Sequence, residues 1–188
     1  MNSLLFLTLA SFFGYLFTNR RKYKYELATS IDQKIKISPN FIYAYILLYP
    51  LVVFTFIILS SSVHYKDFLW TTLICNVLAT LCWYFFPNGL KRNKLKGKTI
   101  TERLLNFIYA IDGDTNGFPS MHVFLSTISA YYLCLNFSSF IVPIVTVCTL
   151  IAISTVYVKQ HYFFDIAGGV IIGILSITIV TLLSFNWL

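Results

Sequence analysis

Two histidines and one aspartate are the residues of this sequence best suited to form a reactive group. His161 and Asp165 are four positions apart, so one helical turn would set the carboxylate against the imidazole ring. A carboxylate that holds one ring nitrogen fixes the tautomer and raises the reactivity of the other nitrogen. The pair therefore predicts an activated histidine.

His122 occupies a second position that suits chemistry. It follows Pro119 and Ser120, which favour the first turn of a helix. The free N–H groups of such a turn, together with the Ser120 hydroxyl, would attract an anion. A single histidine at a helix end is more often an interfacial polar residue, and a single aspartate before glycines often only begins a helix. Several ionisable groups at membrane depth are costly together, however, and such groups tend to mark function.

The composition decides which elements must position these residues. The 188 residues are 57% hydrophobic and 11% charged, which is typical of an integral membrane protein. A spanning helix needs about 20 apolar residues, because its backbone must be hydrogen-bonded internally. Six stretches approach this length: 3–18, 41–62, 67–86, 122–137, 140–158 and 164–185. We therefore predict an all-α bundle of six transmembrane helices, in one domain over residues 1–188.

The first stretch is short and is followed by basic residues, as in a signal peptide. We interpret it as a retained helix, because no small-residue cleavage site follows it. With six spans, the first, third and fifth connections share one side of the membrane. This arrangement would bring His122, His161 and Asp165 to one membrane face.

The basic residues are concentrated on that same side. Only Lys66 is expected on the opposite side, in the short loop that also holds His64. This excess predicts a multi-pass protein of the cell membrane with a cytoplasmic catalytic face. The net charge of +7 is therefore assigned to phospholipid headgroups rather than to nucleic acid. The residues on the basic side are Arg20, Arg21, Lys22, Lys24, Lys34, Lys36, Lys91, Arg92, Lys94, Lys96, Lys98, Arg103 and Lys159.

The third connection has two features of its own. Its basic run, residues 91–98, is by default a loop that faces solvent or headgroups, but Lys91 and Arg92 are predicted to reach the substrate because they lie nearest the third span. Residues 101–111 carry apolar side chains at helical spacing behind a cap at Thr99 or Thr101, which predicts a short amphipathic helix on the membrane. Those apolar side chains are Leu104, Leu105, Phe107, Ile108 and Ile111.

Two glycines, the four cysteines and a set of aromatic rings are expected to have structural roles. Gly169 and Gly173 form a small-residue pair that should pack helices within the bundle, with a dimer face as the alternative, so monomer and homodimer both stay open. The four cysteines have neither the spacing of a zinc site nor that of a thiol-disulfide pair. Aromatic rings near the segment ends are predicted to lie at headgroup level. They are Tyr43, Tyr45, Tyr49, Trp70, Trp83, Tyr84 and Trp187.

Two separated motifs resemble the type 2 phosphatidic acid phosphatase superfamily, over roughly the third helix to the sixth. Residues 118–122, Phe-Pro-Ser-Met-His, are similar to its second signature, and Ser154, His161 and Asp165 have the spacing of its third. The resemblance implies that His161 attacks phosphorus, that His122 acts as general acid and base, and that Asp165 orients the nucleophile.

The sequence departs from that family in three places. Met121 replaces the usual glycine between serine and histidine, and Thr155 replaces the arginine expected after Ser154. The first signature, a lysine followed by an arginine-proline pair, has only residues 86–92 as a stand-in. Lys159 lies one helical turn beyond Thr155, so it is a candidate for the missing cation.

The resemblance implies a membrane lipid phosphatase that works through a phosphohistidine on a phosphomonoester or diphosphate lipid. Lys91, Arg92, Lys159 and the N–H groups around Ser120 would neutralise the phosphate oxygens. No metal or other cofactor is expected, because the sequence offers no carboxylate cluster for magnesium at this site.

Two alternatives remain on the residues alone. The Phe-Pro-Ser-x-His motif together with His-Tyr-Phe-Phe-Asp at 161–165 looks closer to the inositol phosphorylceramide and sphingomyelin synthase branch, whose members move a phospho-headgroup between lipids. Hydrolysis is nevertheless expected ahead of transfer, because long basic loops should admit water to the site. The other alternative is a catalytically silent transport or assembly protein with the same fold, which the altered signatures favour.

Overall fold

The computed structural model describes residues 2–185, and the side chain of Phe185 is not part of that description. The described residues are helical or irregular, with two isolated β-bridges that join Tyr25 to Asn88 and Gly89 to Thr115. This all-α architecture confirms the helical fold class expected from the hydropathy pattern. Trp187, expected at headgroup level, lies outside the described residues.

Ten α-helices follow one another along the described chain. Two short 3₁₀ turns, Pro39–Phe41 and Ser138–Phe140, lead into α4 and α9. The helices are α1 Asn2–Ser11, α2 Phe13–Asn19, α3 Ser30–Lys34, α4 Ile42–Ile46, α5 Leu48–Leu59, α6 Tyr65–Phe85, α7 Ile100–Ile111, α8 Met121–Asn136, α9 Ile141–Tyr157 and α10 Phe163–Phe185.

Four helical stretches are long and apolar enough to cross a membrane within the described part of the chain: Pro39–Leu59, Tyr65–Phe85, Ser138–Tyr157 and Phe163–Ser184. They correspond to the second, third, fifth and sixth predicted spans. The first predicted span is divided near Phe12 into α1 and α2. The fourth corresponds to α8, whose 16 residues extend about 24 Å at 1.5 Å per residue. The total of six spans therefore stays a prediction.

The central position of α8 explains the polar residues that it contains. This helix packs against α5, α6, α9 and α10, so protein surrounds it on most sides. Ser126 and Ser129 are buried within it, and the Ser126 hydroxyl donates to the His122 carbonyl at 2.7 Å. A helix that faces protein rather than lipid tolerates such polar residues, because they find internal hydrogen-bond partners.

Glycines allow α10 to approach α8 closely. A Cβ atom added at Gly169 would lie 2.7 Å from Val123 Cβ and 2.8 Å from the Ser120 carbonyl oxygen. One added at Gly173 would lie 3.3 Å from Thr127 Cβ. The small-residue pair therefore packs within the bundle, as the sequence predicted.

The amphipathic helix of the third connection is present as α7. It begins one residue earlier than predicted, and the Thr99 hydroxyl caps it by accepting from the Glu102 N–H at 3.1 Å. Leu105 and Ile108 are buried, whereas Phe107 and Ile111 are more than half exposed. The helix thus packs one apolar face on the protein and presents a second one outward.

Two of the aromatic rings expected at headgroup level are buried against protein, and the depth of all of them in the membrane stays a prediction. Tyr45 and Trp83 are each only 1% exposed and belong to the protein interior. Tyr43, Trp70 and Tyr84 are at least 40% exposed. Position near a segment end does not reveal whether a ring faces lipid or protein, because that depends on the neighbouring helices.

Candidate active site

His161 lies in the turn between α9 and α10, here called the His161 loop and defined as residues 158–162. The N–H groups of Gln160 and His161 both donate to the Thr155 carbonyl, at 2.9 and 3.2 Å. Lys159 has a φ of +53°, which reverses the chain direction after α9. Since α10 begins at Phe163, His161 and Asp165 do not share the helical turn that their spacing predicted.

The imidazole of His161 is held through its Nδ1 atom. This nitrogen lies 2.9 Å from the Gly117 carbonyl oxygen and 3.5 Å from Asp165 Oδ2. A carbonyl oxygen and an ionised carboxylate oxygen only accept hydrogen bonds, so Nδ1 must carry the proton. The lone pair of the neutral ring is then on Nε2.

Asp165 connects the starts of α8 and α10. Its side chain is 1% exposed, and Oδ2 accepts from the Tyr162 N–H at 2.8 Å. Its carbonyl oxygen accepts from the Ser120 N–H at 3.0 Å. Oδ1 is buried without a hydrogen-bond partner among the described residues. The aspartate thus ties the two halves of the predicted site together.

His122 lies in the first turn of α8, with its ring centroid 6.3 Å from that of His161. Tyr45 stacks on it at 3.9 Å between ring centroids, and Tyr49 contacts it edge-on at 6.0 Å. His122 Nε2 and the Ser120 hydroxyl are both buried without a hydrogen-bond partner in the described structure. Unsatisfied buried polar atoms beside two histidines are suited to a polar ligand that binds between them.

The segment before His122 is fixed by residues that the sequence did not assign to the site. Asn88 accepts two hydrogen bonds from this segment: its Oδ1 accepts from the Phe118 N–H at 2.8 Å, and its carbonyl accepts from the Gly117 N–H at 3.2 Å. Trp83 Nε1 donates to the Pro119 carbonyl at 3.2 Å. Phe118 and Pro119 are joined by a cis peptide bond. One sequence feature pointed to this role of Asn88: it lies within residues 86–92, the segment that stands in for the first signature of the superfamily.

Three predicted cations line a single cavity of about 580 Å³ beside the His161 loop. Lys91 is exposed, and the half-buried Lys159 donates through Nζ to the Asp32 carbonyl at 3.0 Å. Burial lowers the pKa of Lys159, and the nearby charge of Asp32 partly offsets this effect. Arg92 also lines the cavity, and Tyr162 forms part of its wall.

Arg92 is already engaged by the connection between α7 and α8. Its guanidinium donates to the carbonyls of Asp112 and Gly113 and lies 3.3 Å from the Asp114 carboxylate. Its side chain is 4% exposed. His122 lines a separate cavity of about 320 Å³, which is bordered by α2, α4, α7 and α8. The structure therefore gathers His122, His161, Asp165 and Ser120, and it keeps the cations at the adjoining cavity.

No group of three or more His, Cys, Asp or Glu side chains among the described residues is arranged to hold a metal ion. Cys75, Cys82, Cys134 and Cys148 are free thiols, and all are buried or half-buried.

Comparison with known proteins gives one match. The family model described as the PAP2 superfamily matches residues 92–188, just over half of the chain. The matched part contains His122, His161 and Asp165, and also Arg92 and Lys159. No curated protein and no solved structure matches the chain.

Proposed function

The chain belongs to the PAP2 superfamily, and from this premise we propose that it is a membrane lipid phosphatase that forms a phosphohistidine on His161. Members of this superfamily are generally phosphatases, which act on phosphate esters. The proposed substrate is a phosphomonoester or diphosphate lipid. Apolar helices long enough to cross a membrane support a substrate that is itself part of the membrane.

The geometry of the two histidines carries the proposal. Nδ1 of His161 faces two acceptors, which leaves the Nε2 lone pair for attack on phosphorus. The ring centroid of His122 lies 6.3 Å from that of His161, so we infer that both histidines serve the same phosphate ester. Asp165 would stabilise the positive charge that His161 acquires during attack.

The proposed reaction has two steps. In the first, Nε2 of His161 forms a bond to phosphorus while the bond to the lipid oxygen breaks, and His122 gives its proton to that oxygen. In the second, water attacks the phosphohistidine, its proton passes to His122, and the phosphorus–nitrogen bond breaks to release phosphate. The N–H groups near Ser120 and the cations Lys91 and Lys159 would offset the charge on the phosphoryl oxygens. Arg92, which is bonded to the connection between α7 and α8, would contribute through its charge from the adjoining cavity.

The test of the proposal is phosphate release by the purified protein in detergent. Phosphatidic acid and an isoprenyl diphosphate would be supplied in mixed micelles, with and without a chelator of divalent metals. We expect phosphate release that persists in the chelator. Activity that requires an added divalent metal would contradict the metal-independent mechanism, and no release from a broad set of lipid phosphates would favour a catalytically silent protein.

A second candidate function is transfer of the phosphoryl group to an alcohol. It is supported by the hydrogen bond from the Tyr109 hydroxyl on α7 to the Val158 carbonyl, which attaches this amphipathic helix to the His161 loop. A helix in that position is suited to cover the site and exclude water, as a dedicated transferase requires. In that case the similarity to the inositol phosphorylceramide and sphingomyelin synthase branch would indicate the kind of acceptor, because members of that branch move a phospho-headgroup between lipids.

The two functions differ in their products. A labelled lipid phosphate would be supplied with and without inositol, a choline lipid or diacylglycerol, and free phosphate would be compared with new phospholipid. We expect free phosphate as the main product, because the cavity beside the His161 loop is lined by charged and polar side chains that should keep it hydrated. Phosphate that appears only as a minor product beside an acceptor-dependent lipid would reverse this order.

A further inference from the structure

A segment that precedes the family match lies directly against the His161 loop. We call residues 24–38, between α2 and α4, the strap. Its first residue is attached through the Lys24 N–H to the Pro87 carbonyl at 2.7 Å, and its last through the Ser38 N–H to the Tyr157 carbonyl at 2.9 Å. The strap therefore crosses from the chain after α6 to the end of α9. The family match begins at residue 92, so it does not include this segment.

Asp32 is the residue through which the strap contacts both sides of His161. Its carbonyl oxygen accepts from Lys159 Nζ at 3.0 Å, two residues before the histidine. Its Oδ1 accepts from the Phe163 N–H at 2.9 Å, two residues after the histidine. Both contacts bridge more than 120 positions of sequence, so they form only when the strap and the loop are assembled.

The other carboxylate oxygen of Asp32 is used within the strap. Oδ2 accepts from the Thr29 N–H at 2.8 Å and from the Thr29 hydroxyl at 2.6 Å. Asp32 is 3% exposed, and both its carboxylate oxygens and its carbonyl oxygen accept hydrogen bonds. A buried carboxylate in this state is held in one geometry, because a shift would break several charge-assisted hydrogen bonds.

We propose that Asp32 is a positioning residue for His161, which fixes the loop by accepting from the first N–H of α10 while the strap holds Lys159. This inference rests on the proposed role of His161 as nucleophile. Asp32 does not act on the substrate, because both carboxylate oxygens are occupied and a negative charge would repel a phosphate. Its effect on catalysis passes through the position of the imidazole.

A second contact of the strap supports the same arrangement. The Tyr162 hydroxyl donates to the Glu26 carboxylate, so the residue next to His161 is also attached to the strap. Tyr109 holds Val158 from the side of α7. The His161 loop is thus fixed at Val158, Lys159, Tyr162 and the start of α10. A nucleophile displaced by about 1 Å loses on the order of 10²-fold in rate.

The test compares two side-chain deletions within the strap. Asp32→Ala removes the acceptor for the Phe163 N–H but leaves the carbonyl that receives Lys159. Thr29→Ala is the matched control, because it removes a hydroxyl bonded to the same carboxylate and leaves the contact with the loop intact. With phosphatidic acid micelles as probe, we expect kcat to fall about 10²-fold in Asp32→Ala with little change in KM, and to change little in Thr29→Ala.

Hydrogen–deuterium exchange provides a readout that does not depend on turnover. We expect faster exchange of the peptide that covers residues 159–166 in Asp32→Ala than in wild type or Thr29→Ala. Asp32→Asn retains one oxygen acceptor and should recover part of both kcat and protection, which also covers the case in which Asp32→Ala does not fold.

The outcomes separate this inference from the proposed function. A wild-type protein that releases no phosphate contradicts the proposed function, and the exchange comparison then decides alone whether Asp32 holds the loop. Equal exchange in wild type and the Asp32 variants would overturn the inference. So would equal losses of kcat in Asp32→Ala and Thr29→Ala, because that result would assign the effect to the strap as a whole.

Discussion

At the scale of single residues, the site depends on which nitrogen of His161 carries the proton. Gly117 offers a backbone carbonyl to Nδ1 at 2.9 Å, and Asp165 offers a carboxylate oxygen at 3.5 Å. The carbonyl alone would preserve the tautomer, so the carboxylate contributes chiefly through its negative charge. We therefore expect the two acceptors to have separable effects on catalysis.

This division of roles predicts a rank order among variants of the site. His161→Ala should abolish turnover, because no other group replaces the nucleophile. His122→Ala should slow the reaction by about 10² to 10⁴-fold, the usual contribution of a general acid or base. Asp165→Asn should cost less than His122→Ala, because the Gly117 carbonyl keeps the proton on Nδ1. Phosphate release at saturating lipid phosphate measures all three.

His64→Ala is the control for these variants, because this third histidine lies in the turn before α6 and outside the site. It should turn over like wild type. Wild-type activity that survives in His161→Ala would remove the phosphohistidine mechanism altogether.

The pH dependence of substrate capture is a second prediction at this scale. Burial lowers the pKa of Lys159 below that of an ordinary lysine, although Asp32 offsets part of the shift. A lysine loses its charge as the pH rises through its pKa, so this cation should disappear at a lower pH than usual. The alkaline decline of kcat/KM should therefore begin early in wild type, and it should move to higher pH in Lys159→Arg, because arginine stays charged.

Lys34→Arg is the matched control, since Lys34 is an exposed lysine in the strap that does not line the cavity. Its profile of kcat/KM against pH should follow that of wild type. An alkaline decline at the same pH in Lys159→Arg and wild type would exclude Lys159 as the group that titrates.

At the scale of helices, the site exists because α8 and α10 begin side by side. The Ser120 N–H donates to the Asp165 carbonyl at 3.0 Å, which joins the residue before α8 to the first turn of α10. Gly169 lets the helices meet one turn further on, where an added Cβ would collide with Val123 and with the Ser120 carbonyl. The packing of two helices thus fixes the relative positions of His122 and Asp165.

This packing predicts unequal effects for two glycine substitutions. Gly169→Ala would place its methyl group 2.8 Å from the Ser120 carbonyl oxygen and 2.7 Å from Val123 Cβ, so the backbone at the site must shift. Overpacking of this kind typically costs about 1–3 kcal/mol. Gly173→Ala is the control, because its methyl group would lie 3.3 Å from the Thr127 side chain, where a small adjustment suffices.

Thermal unfolding in detergent and phosphate release would both be measured. We expect a lower Tm and reduced turnover for Gly169→Ala, and values near wild type for Gly173→Ala. Similar losses in the two variants would mean that the close approach of α8 and α10 at Gly169 is not what fixes the geometry of the candidate site.

At the scale of the whole molecule, the distribution of charge is the main guide to orientation. The connections before α4, between α6 and α8, and between α9 and α10 contain most of the basic residues. Lysine and arginine accumulate on the cytoplasmic side of membrane proteins. The candidate site and the strap both belong to these connections, so we propose that they face the cytoplasm.

Labelling of single cysteines in intact cells tests this orientation. In a variant that lacks Cys75, Cys82, Cys134 and Cys148, Lys34→Cys should react with a membrane-impermeant reagent only after permeabilisation. His64→Cys, in the connection on the other side of α5, should react from outside. Labelling of Lys34→Cys in intact cells would reverse the proposed orientation.

The membrane class of the protein, its family and the candidate site residues His122, His161 and Asp165 could be predicted from the residues alone. Long apolar stretches can only be buried in lipid as helices, so the membrane fold was readable from composition. The motifs around His122 and His161 identified the family, which the match over residues 92–188 confirms. Thr99 and the apolar spacing after it predicted α7 within one residue.

The contacts that hold His122, His161 and Asp165 in place depend on the tertiary structure. The Gly117 carbonyl that fixes the tautomer of His161 is a backbone group, which any residue type would supply, so no sequence pattern marks it. Tyr45 stacks on His122, a contact that its position near a segment end did not predict, because it depends on how α4 packs beside α8. Asp32 contacts the His161 loop at Lys159, which is more than 120 residues away in the sequence. Contacts of this kind arise from how helices and connections pack together, and local residue preferences do not encode that packing.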